Sequence, residues 1–451
     1  MKKVFFKIEP FIKYFLIFIF FLFWNIIIQP INLDEIWNYG FAYNIYEGLI
    51  PYKDFNMVLT PFYPMVISFF FMLFGSNLLV MHIVNSLLIT FMLWLIEKIL
   101  KLNICVFVLI LCFPLSVAFP SYNLFLLFLF VLIICLEKNN KSDFVIGVIL
   151  GIFILTKQSV GVCLALPSIY YLFFDSKKFL KRILGIFIPC IIFLLYLLFT
   201  GSLYYFFDLC LFGMFDFASG NRSDLTVVFC ISLLLLILTF YLIIKNKNKF
   251  YFYYLLSFYS ILIPLFDLYH LELYFFAFLL IYLLEVKNKI NFKFINFNLF
   301  MKGLLLGIVF LSIDSRFKTK VFFPNDIKNF EYRAVDEKYI KYTSNINSRN
   351  SKYEKEGKNI IFLSADGYYF RLINDMRISY IDLINKGNWG YNGSKKLLNY
   401  IKKNSDAVFF VDESELGTNK QTDQNALKFI IKNGKEIEDL GKYKIYVLGE
   451  I

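Results

Sequence analysis

Two adjacent carboxylates, Asp34 and Glu35, open the stretch "NLDEIWNYGFAYNIYEGLIPYKDF" (32–55), directly after a run of almost pure hydrocarbon. A carboxylate there is either an idle helix cap, since Asp is favoured where a helix starts, or a group that takes and gives a proton. Lys157 stands in "TKQ" between two apolar runs, "GVILGIFIL" and "SVGVCLALP". An ionisable side chain at membrane depth is costly, so it either snorkels to the headgroups or has a task. Gln158 adds a donor beside it. His270 is one of two histidines and lies between Asp267 and Glu272 in "DLYHLE" (267–272). It is a solvated turn residue, a general acid or base, or a contact to metal or phosphate. Arg222, in "FDFASGNRSD" (215–224), is a surface charge or a phosphate clamp. Lys53, Asp54, and Tyr122 and Asn123 of "PSYN" (120–123) complete the polar set, and His82 carries less weight. No Walker motif, dinucleotide glycine fingerprint or CxxC occurs, which leaves nucleotide hydrolysis and structural zinc without support.

The elements that must position these groups are membrane helices. The chain has 451 residues, of which 59% are hydrophobic and 21% aromatic, whereas soluble domains are roughly half apolar. Runs such as "FIKYFLIFIFFLFWNIIIQ" are long enough to cross a hydrocarbon core of about 30 Å, which takes roughly 20 residues. The first run has no small-residue cleavage site after it and reads as an uncleaved helix. The seven cysteines all lie between Cys105 and Cys230, so the polar C-terminal region has no disulfide framework. A net charge of +12 would suggest nucleic acid only in a soluble protein. Here the cations set topology, because Lys and Arg of short loops prefer the cytoplasm.

Clusters at Lys2/Lys3/Lys7, Lys98/Lys101, Lys138/Lys141, Lys177/Lys178/Lys181/Arg182, Lys245/Lys247/Lys249 and Lys287/Lys289/Lys293 are all placed inside. Helices at about 11–29, 79–100, 104–119, 121–137, 143–156, 159–174, 183–200, 225–244, 250–266, 271–286 and 298–314 satisfy that pattern. They make eleven crossings of a cell membrane, with the N-terminus cytoplasmic and the C-terminus outside. Segment 58–75, with Pro61, Pro64 and Gly75, is expected to be re-entrant or interfacial. Two short helices meeting at "TKQ" are expected instead of one long one. The unusual polar groups then collect on the outer face, and "DEIWNYGFAYNIYEG" lies along it as an amphipathic helix.

Beyond residue 315 the chain turns polar. "NIIFLSAD" (359–366), "RISYID" (377–382), "AVFFVDE" (407–413) and "KYKIYVL" (442–448) read as strands, and 394–404 and 423–434 as helices. The expected organisation is a membrane domain over 1–314 with a first outer loop at about 30–78, a linker over 315–358, and a small extracytoplasmic α/β domain over 359–451. "NKGNWGYNG" (385–393) reads as a turn with exposed Trp389 and Tyr391, or as an aromatic platform.

The string "LDEIWNYGFAYNIYEGLIPYKDFNMVLTPFYPMVISFFFMLFG" between two apolar helices, with "TKQSVG" and "DLYHLELYF" later, resembles the GT-C membrane glycosyltransferases over roughly residues 10–310. Protein O-mannosyltransferases and the lipid A aminoarabinose transferase belong to that family. Two departures are "TPFYP" in place of paired prolines and a histidine in "MHIVN" where many relatives have arginine. The resemblance implies transfer of a sugar from a polyprenyl-phosphate donor to a glycan, lipid or protein at the outer face, with inversion. It implies Asp34 as the base and Glu35 orienting the acceptor or a metal. Lys157, Gln158, Lys53, Arg222 and His270 would face the donor phosphate. Asp54, Tyr122, Asn123 and Asp267 would stand on the acceptor side or behind the others. A divalent ion on Asp34, Glu35 and His270 stays open. The alternatives are a flippase, which would show internal repeats around a midplane site where no repeat is seen, and a polymerase, which would place its key groups in a large late outer loop and not directly after the first helix.

Overall fold

The computed structural model describes residues 2–28, 32–100, 115–220, 227–246, 250–263, 266–286, 321–323, 329–367, 388–417 and 422–449. The expected crossing 298–314, most of 104–119, the strand 377–382 and Arg222 lie outside them.

The membrane half is a helical bundle. Helix α1 (Lys2–Phe23) ends in a π-helical turn, Trp24–Ile28. It is followed by α2 (Leu33–Tyr46), α3 (Phe62–Phe74), α4 (Leu78–Leu100) and α5 (Tyr122–Lys138). Then come α6 (Asp143–Thr156), α7 (Gln158–Ala165), α8 (Tyr170–Phe174) and α9 (Ser176–Phe199). Short helices α10 (Leu203–Phe206) and α11 (Gly213–Gly220) lead to α12 (Val227–Lys245), α13 (Tyr251–Phe258) and α14 (Leu268–Val286). Among the described residues, five helices are long and apolar enough to cross a membrane: Phe11–Ile28, Leu78–Leu100, Ser176–Phe199, Val227–Lys245 and Leu268–Glu285. Segments 62–74, 143–156, 158–174 and 251–262 are apolar but shorter. Five of the eleven expected crossings thus coincide with long apolar helices among the described residues. Pro61 stands at the start of α3 and Gly75, at φ +87°, closes it after 13 residues.

Glycine sets the closest packing. A Cβ added at Gly147 would lie 2.2 Å from the carbonyl oxygen of Arg182, and one at Gly185 would lie 2.3 Å from that of Phe144. Small residues let α6 and α9 bring their backbones together, a contact that substitutes for hydrophobic driving force in lipid. Gly161 performs the same service inside the α6–α7 hairpin, where its Cβ would lie 2.4 Å from the Ile154 backbone. That hairpin turns at Lys157, whose extended backbone (φ −151°, ψ 104°) breaks the helix.

Arg182, which the sequence groups with the cations of a cytoplasmic loop, is buried at 1% exposure. Its guanidinium reaches Asp143 at 2.7 Å and Glu137 at 2.7 Å, and donates to the Tyr254 hydroxyl at 2.7 Å. It also stacks over the Tyr171 ring at 4.4 Å. One cation thus ties the end of α5 and the starts of α6, α9 and α13.

The polar half holds a two-stranded pair, β1 (Val321–Phe322) and β2 (Val335–Asp336), then α15 (Glu337–Lys355). Strand β3 (Ile360–Leu363), helix α16 (Gly393–Lys403), β4 (Val408–Val411), α17 (Gln424–Asn433), β5 (Gly434–Asp439) and β6 (Lys444–Leu448) follow. The sheet order is β3-β4-β6-β5, with β3 and β4 parallel and the other pairs antiparallel. Every residue of β4, "VFFV", is buried, as a strand covered on both faces requires. Tyr391 is 59% exposed, but Trp389, expected at the surface, is buried against Tyr400.

The stretch expected only to link the halves also packs against the membrane half. The Asn329 carbonyl accepts from the Leu78 amide at 2.8 Å, and Asn77 donates to Glu331 at 2.7 Å. Phe330 is buried edge-on to Tyr39, with ring centroids 5.3 Å apart.

Candidate active site

The site starts at the first turn of α2. Asn32 is the cap: its side chain accepts from the Asp34 amide at 2.8 Å, and the Glu35 carboxylate reaches back to the Asn32 amide at 3.5 Å. This reciprocal capping box satisfies two amides that a helix start leaves bare. Asp34 is therefore free of the capping duty that was its bland alternative, and its side chain is half-buried.

The two carboxylates have opposite surroundings. Burial pushes the Asp34 carboxyl up to about 6, although Lys157 pulls it the other way. Burial would also raise Glu35, but the Arg333 guanidinium and His82 outweigh it and hold that carboxyl at about 2. Glu35 is fully enclosed, 2.9 Å from His82 Nε2 and 3.3 Å from Arg333 Nε. Its oxygens are taken up by these partners. The histidine in "MHIVN" is thus a contact of Glu35.

Asp34 shares its electrostatic surroundings with Lys157 and Asp267. Lys157, at the α6–α7 turn, is pushed down to about 8 by burial, against the pull of Asp34 and Asp267. Its Nζ lies 3.4 Å from Asn123 Oδ1 and 5.5 Å from the Tyr122 ring centroid. Gln158 donates to the carbonyls of Val58 (3.1 Å) and Cys210 (3.0 Å), which fixes the turn between two loops. Among the described residues its Oε1 is buried without a hydrogen-bond partner, as are Asn123 Nδ2 and Trp37 Nε1. Asp267 accepts from both the backbone amide and Nδ1 of His270 at 2.8 Å. These contacts outweigh its burial and hold the Asp267 carboxyl below the usual range.

Several of these groups line a cavity of about 320 Å³. Trp37, Asn38, Tyr122, Lys157, Gln158 and His270 line it, with Phe41, Met214 and Phe215 among its apolar walls. Asn388, from the polar half, is also in its wall, and the Asn388 carbonyl accepts from Asn56 at 3.0 Å. Beside it the turn carrying Gly390 presses on Asp208, which accepts from the Tyr391 amide at 3.1 Å and pairs with Lys396. A second cavity of about 360 Å³, bounded by Met65, Ile152, Ile188, Pro189 and Tyr196 among others, is almost wholly apolar. Thr60, donating to the Ile154 carbonyl at 2.9 Å, ties the intervening loop to α6.

The structure thus gathers Asp34, Tyr122, Asn123, Lys157, Gln158, Asp267 and His270. It does not bring Lys53 and Asp54 to the cavity wall. Exposed Lys53 donates to the Thr200 carbonyl at 3.1 Å, and Asp54 accepts from the Ile50 amide at 2.7 Å. Among the described residues no group of three or more His, Cys, Asp or Glu is placed to hold a metal ion. With Glu35 engaged by Arg333 and His82, the trio Asp34, Glu35 and His270 is not assembled. Arg333, Asn388 and Trp37 were missed. A signal for Arg333 existed in "FEYRAVD", an arginine among aromatic and apolar residues, since Arg suits buried bidentate carboxylate pairing.

No family model matches the chain, and no curated protein sequence does. Among solved structures, the chain is similar to an Archaeoglobus fulgidus oligosaccharyltransferase crystallised with zinc and sulfate. The likeness covers 96% of this chain and 73% of that one, at a TM-score of 0.45 and 11% identity.

Proposed function

We propose that this chain is an inverting membrane glycosyltransferase that moves a sugar from a polyprenyl-phosphate carrier to an acceptor hydroxyl at the outer face. The observation that carries the reading is a lysine, Lys157, in the wall of a largely apolar cavity, electrostatically coupled to a half-buried carboxyl, Asp34, on the helix whose Trp37 and Asn38 line the same cavity. Asp34 takes the acceptor's hydroxyl proton as its oxygen bonds to the sugar C1. The C1–O bond to the phosphate breaks, and its electron pair goes to the phosphate oxygen. Lys157, fixed beside Asn123, stabilises the charge that grows there. Trp37 and Tyr122 offer faces to the sugar ring. The second, apolar cavity suits the isoprenoid tail.

Membranes containing the native chain or Asp34→Asn, supplied with radiolabelled polyprenyl-phosphate sugars, test this. Loss of transfer in a folded Asp34→Asn protein, by about 10²–10⁴-fold, is the expected result. Equal transfer by both removes Asp34 as the base. No transfer by the native chain from any donor overturns the enzyme reading in favour of a lipid-linked sugar flippase.

A further inference from the structure

The contact between Glu35 and Arg333 joins residues 298 positions apart. Arg333 is 1% exposed, and its fork spans both carboxylate oxygens: Nε to Oε1 and Nη2 to Oε2, each at 3.3 Å. Its remaining arm, Nη1, donates to the Ile26 carbonyl at 2.9 Å, at the end of the first membrane helix. The neighbouring Ala334 amide donates to the same carbonyl at 3.0 Å. Asn329, Phe330 and Glu331 are fixed to the start of α4 and to Tyr39 of α2, as described above. The short segment 329–334 is therefore wedged between α1, α2 and α4.

Arg333 is not itself in the cavity wall, yet what it holds is adjacent to a residue that matters. Glu35 closes the capping box that sets the first turn of α2, and Asp34 is the preceding residue of that turn. His82 by itself is a poor partner for a buried carboxylate, since a neutral imidazole carries no balancing charge. The guanidinium supplies the charge, and its planar fork fixes direction as well. We propose that Arg333 is a positioning residue, holding Asp34 in its working place through Glu35. A segment from beyond the membrane helices thus completes the site. This rests on the transferase reading for its kinetic consequence, but its structural consequence stands apart from any activity.

The experiment uses the purified full-length chain with Arg333→Gln, Arg333→Lys, Glu35→Gln and the double variant Glu35→Gln/Arg333→Gln. Two readouts are taken: steady-state transfer from the polyprenyl-phosphate sugar, and hydrogen–deuterium exchange of amides 33–38. Arg333→Gln is expected to lower kcat by roughly 10²-fold, the scale of a small misplacement of a reacting group. The donor KM stays within about two-fold, because Lys157 and the cavity are untouched. Exchange at 33–38 rises. Two neutral amides can hydrogen-bond each other, so the double variant recovers activity and protection relative to Arg333→Gln, and Arg333→Lys falls between. Unchanged exchange in Arg333→Gln overturns the proposal, whatever the activity. So does loss of kcat that the double variant does not recover at all. If Arg333→Gln does not fold, Arg333→Lys is read by the same two measures against the native chain. If the native chain transfers no sugar, the transferase reading fails and the exchange data alone decide the positioning.

Discussion

Asp34 and Lys157 set opposite limits on pH. The base form of Asp34 exists above about 6, and the cation of Lys157 below about 8. Transfer measured as kcat/KM is expected to be bell-shaped, falling on the acid side as Asp34 is protonated and on the alkaline side as Lys157 loses its charge. Asp34→Asn should abolish the acid limb along with the activity. A rate flat from pH 5 to 9 would contradict both roles. Lys157→Met is expected to lower kcat by about 10²–10³-fold, as removal of a charge-stabilising donor does elsewhere; single-turnover rates with saturating donor would check it. Asp34 and Lys157 were legible in sequence because ionisable groups beside or between hydrocarbon runs are costly and need a reason. Arg333 was passed over for the opposite reason: the wider region is rich in charge, and there its one local signal, the aromatic and apolar neighbours in "FEYRAVD", draws little notice. Its partner is fixed only by three-dimensional folding. The division of labour between Asp34 and Glu35 was equally hidden, since adjacent residues on a helix point in different directions.

Elements were read more securely than their ends. The break at "TKQ" was expected from charge placement and coincides with the boundary between α6 and α7. Helix α2 was expected from the spacing of Ile36, Tyr39, Phe41, Tyr43 and Tyr46; segment 58–75 was expected to be re-entrant or interfacial, and it holds one short helix, α3. Strand β5, "GKEIED", was not foreseen: it is a charged edge strand, and edges carry charge to deter further pairing. The buried Arg182 was misplaced because a loop cation and a clamp look alike in sequence. Arg182→Ala leaves Glu137 and Asp143 without their cation, and an uncompensated buried charge costs about 3–5 kcal/mol. Thermal unfolding in detergent should show a marked loss of stability, while Lys178→Ala on the same helix should show little. Gly147→Val is expected to be worse for assembly, because its Cβ meets backbone 2.2 Å away and backbone cannot step aside. Yield of folded protein after size-exclusion chromatography measures that.

At the scale of the molecule, the polar half borders the cavity as well as flanking the membrane half. Asn388 enters the cavity wall from a turn that lies against Asp208. Gly390 in that turn has φ +73°, and a Cβ there would lie 2.8 Å from the Asp208 carboxylate. Gly390→Ala therefore combines backbone strain with a clash and should lift the turn from the membrane half. Faster proteolysis between the halves, with a raised acceptor KM and an unchanged donor KM, is the expected outcome. Lys396→Ala, removing a partly exposed ion pair, should cost at most about 1 kcal/mol of that docking.

The wedge formed by residues 329–334 has a consequence for how the protein is made. Helix α2 and its carboxylates leave the ribosome 298 residues before the arginine that secures them. At synthesis rates of about 5–20 residues per second, that gap lasts roughly 15–60 s. Until then Glu35 has no guanidinium, His82 itself being made later than the helix it contacts, and the first turn of α2 lacks its anchor. On the proposed transferase reading, a nascent chain still threading into the membrane would hold its base out of place. On that reading competence would arrive late and all at once, when the segment beyond the membrane helices has docked.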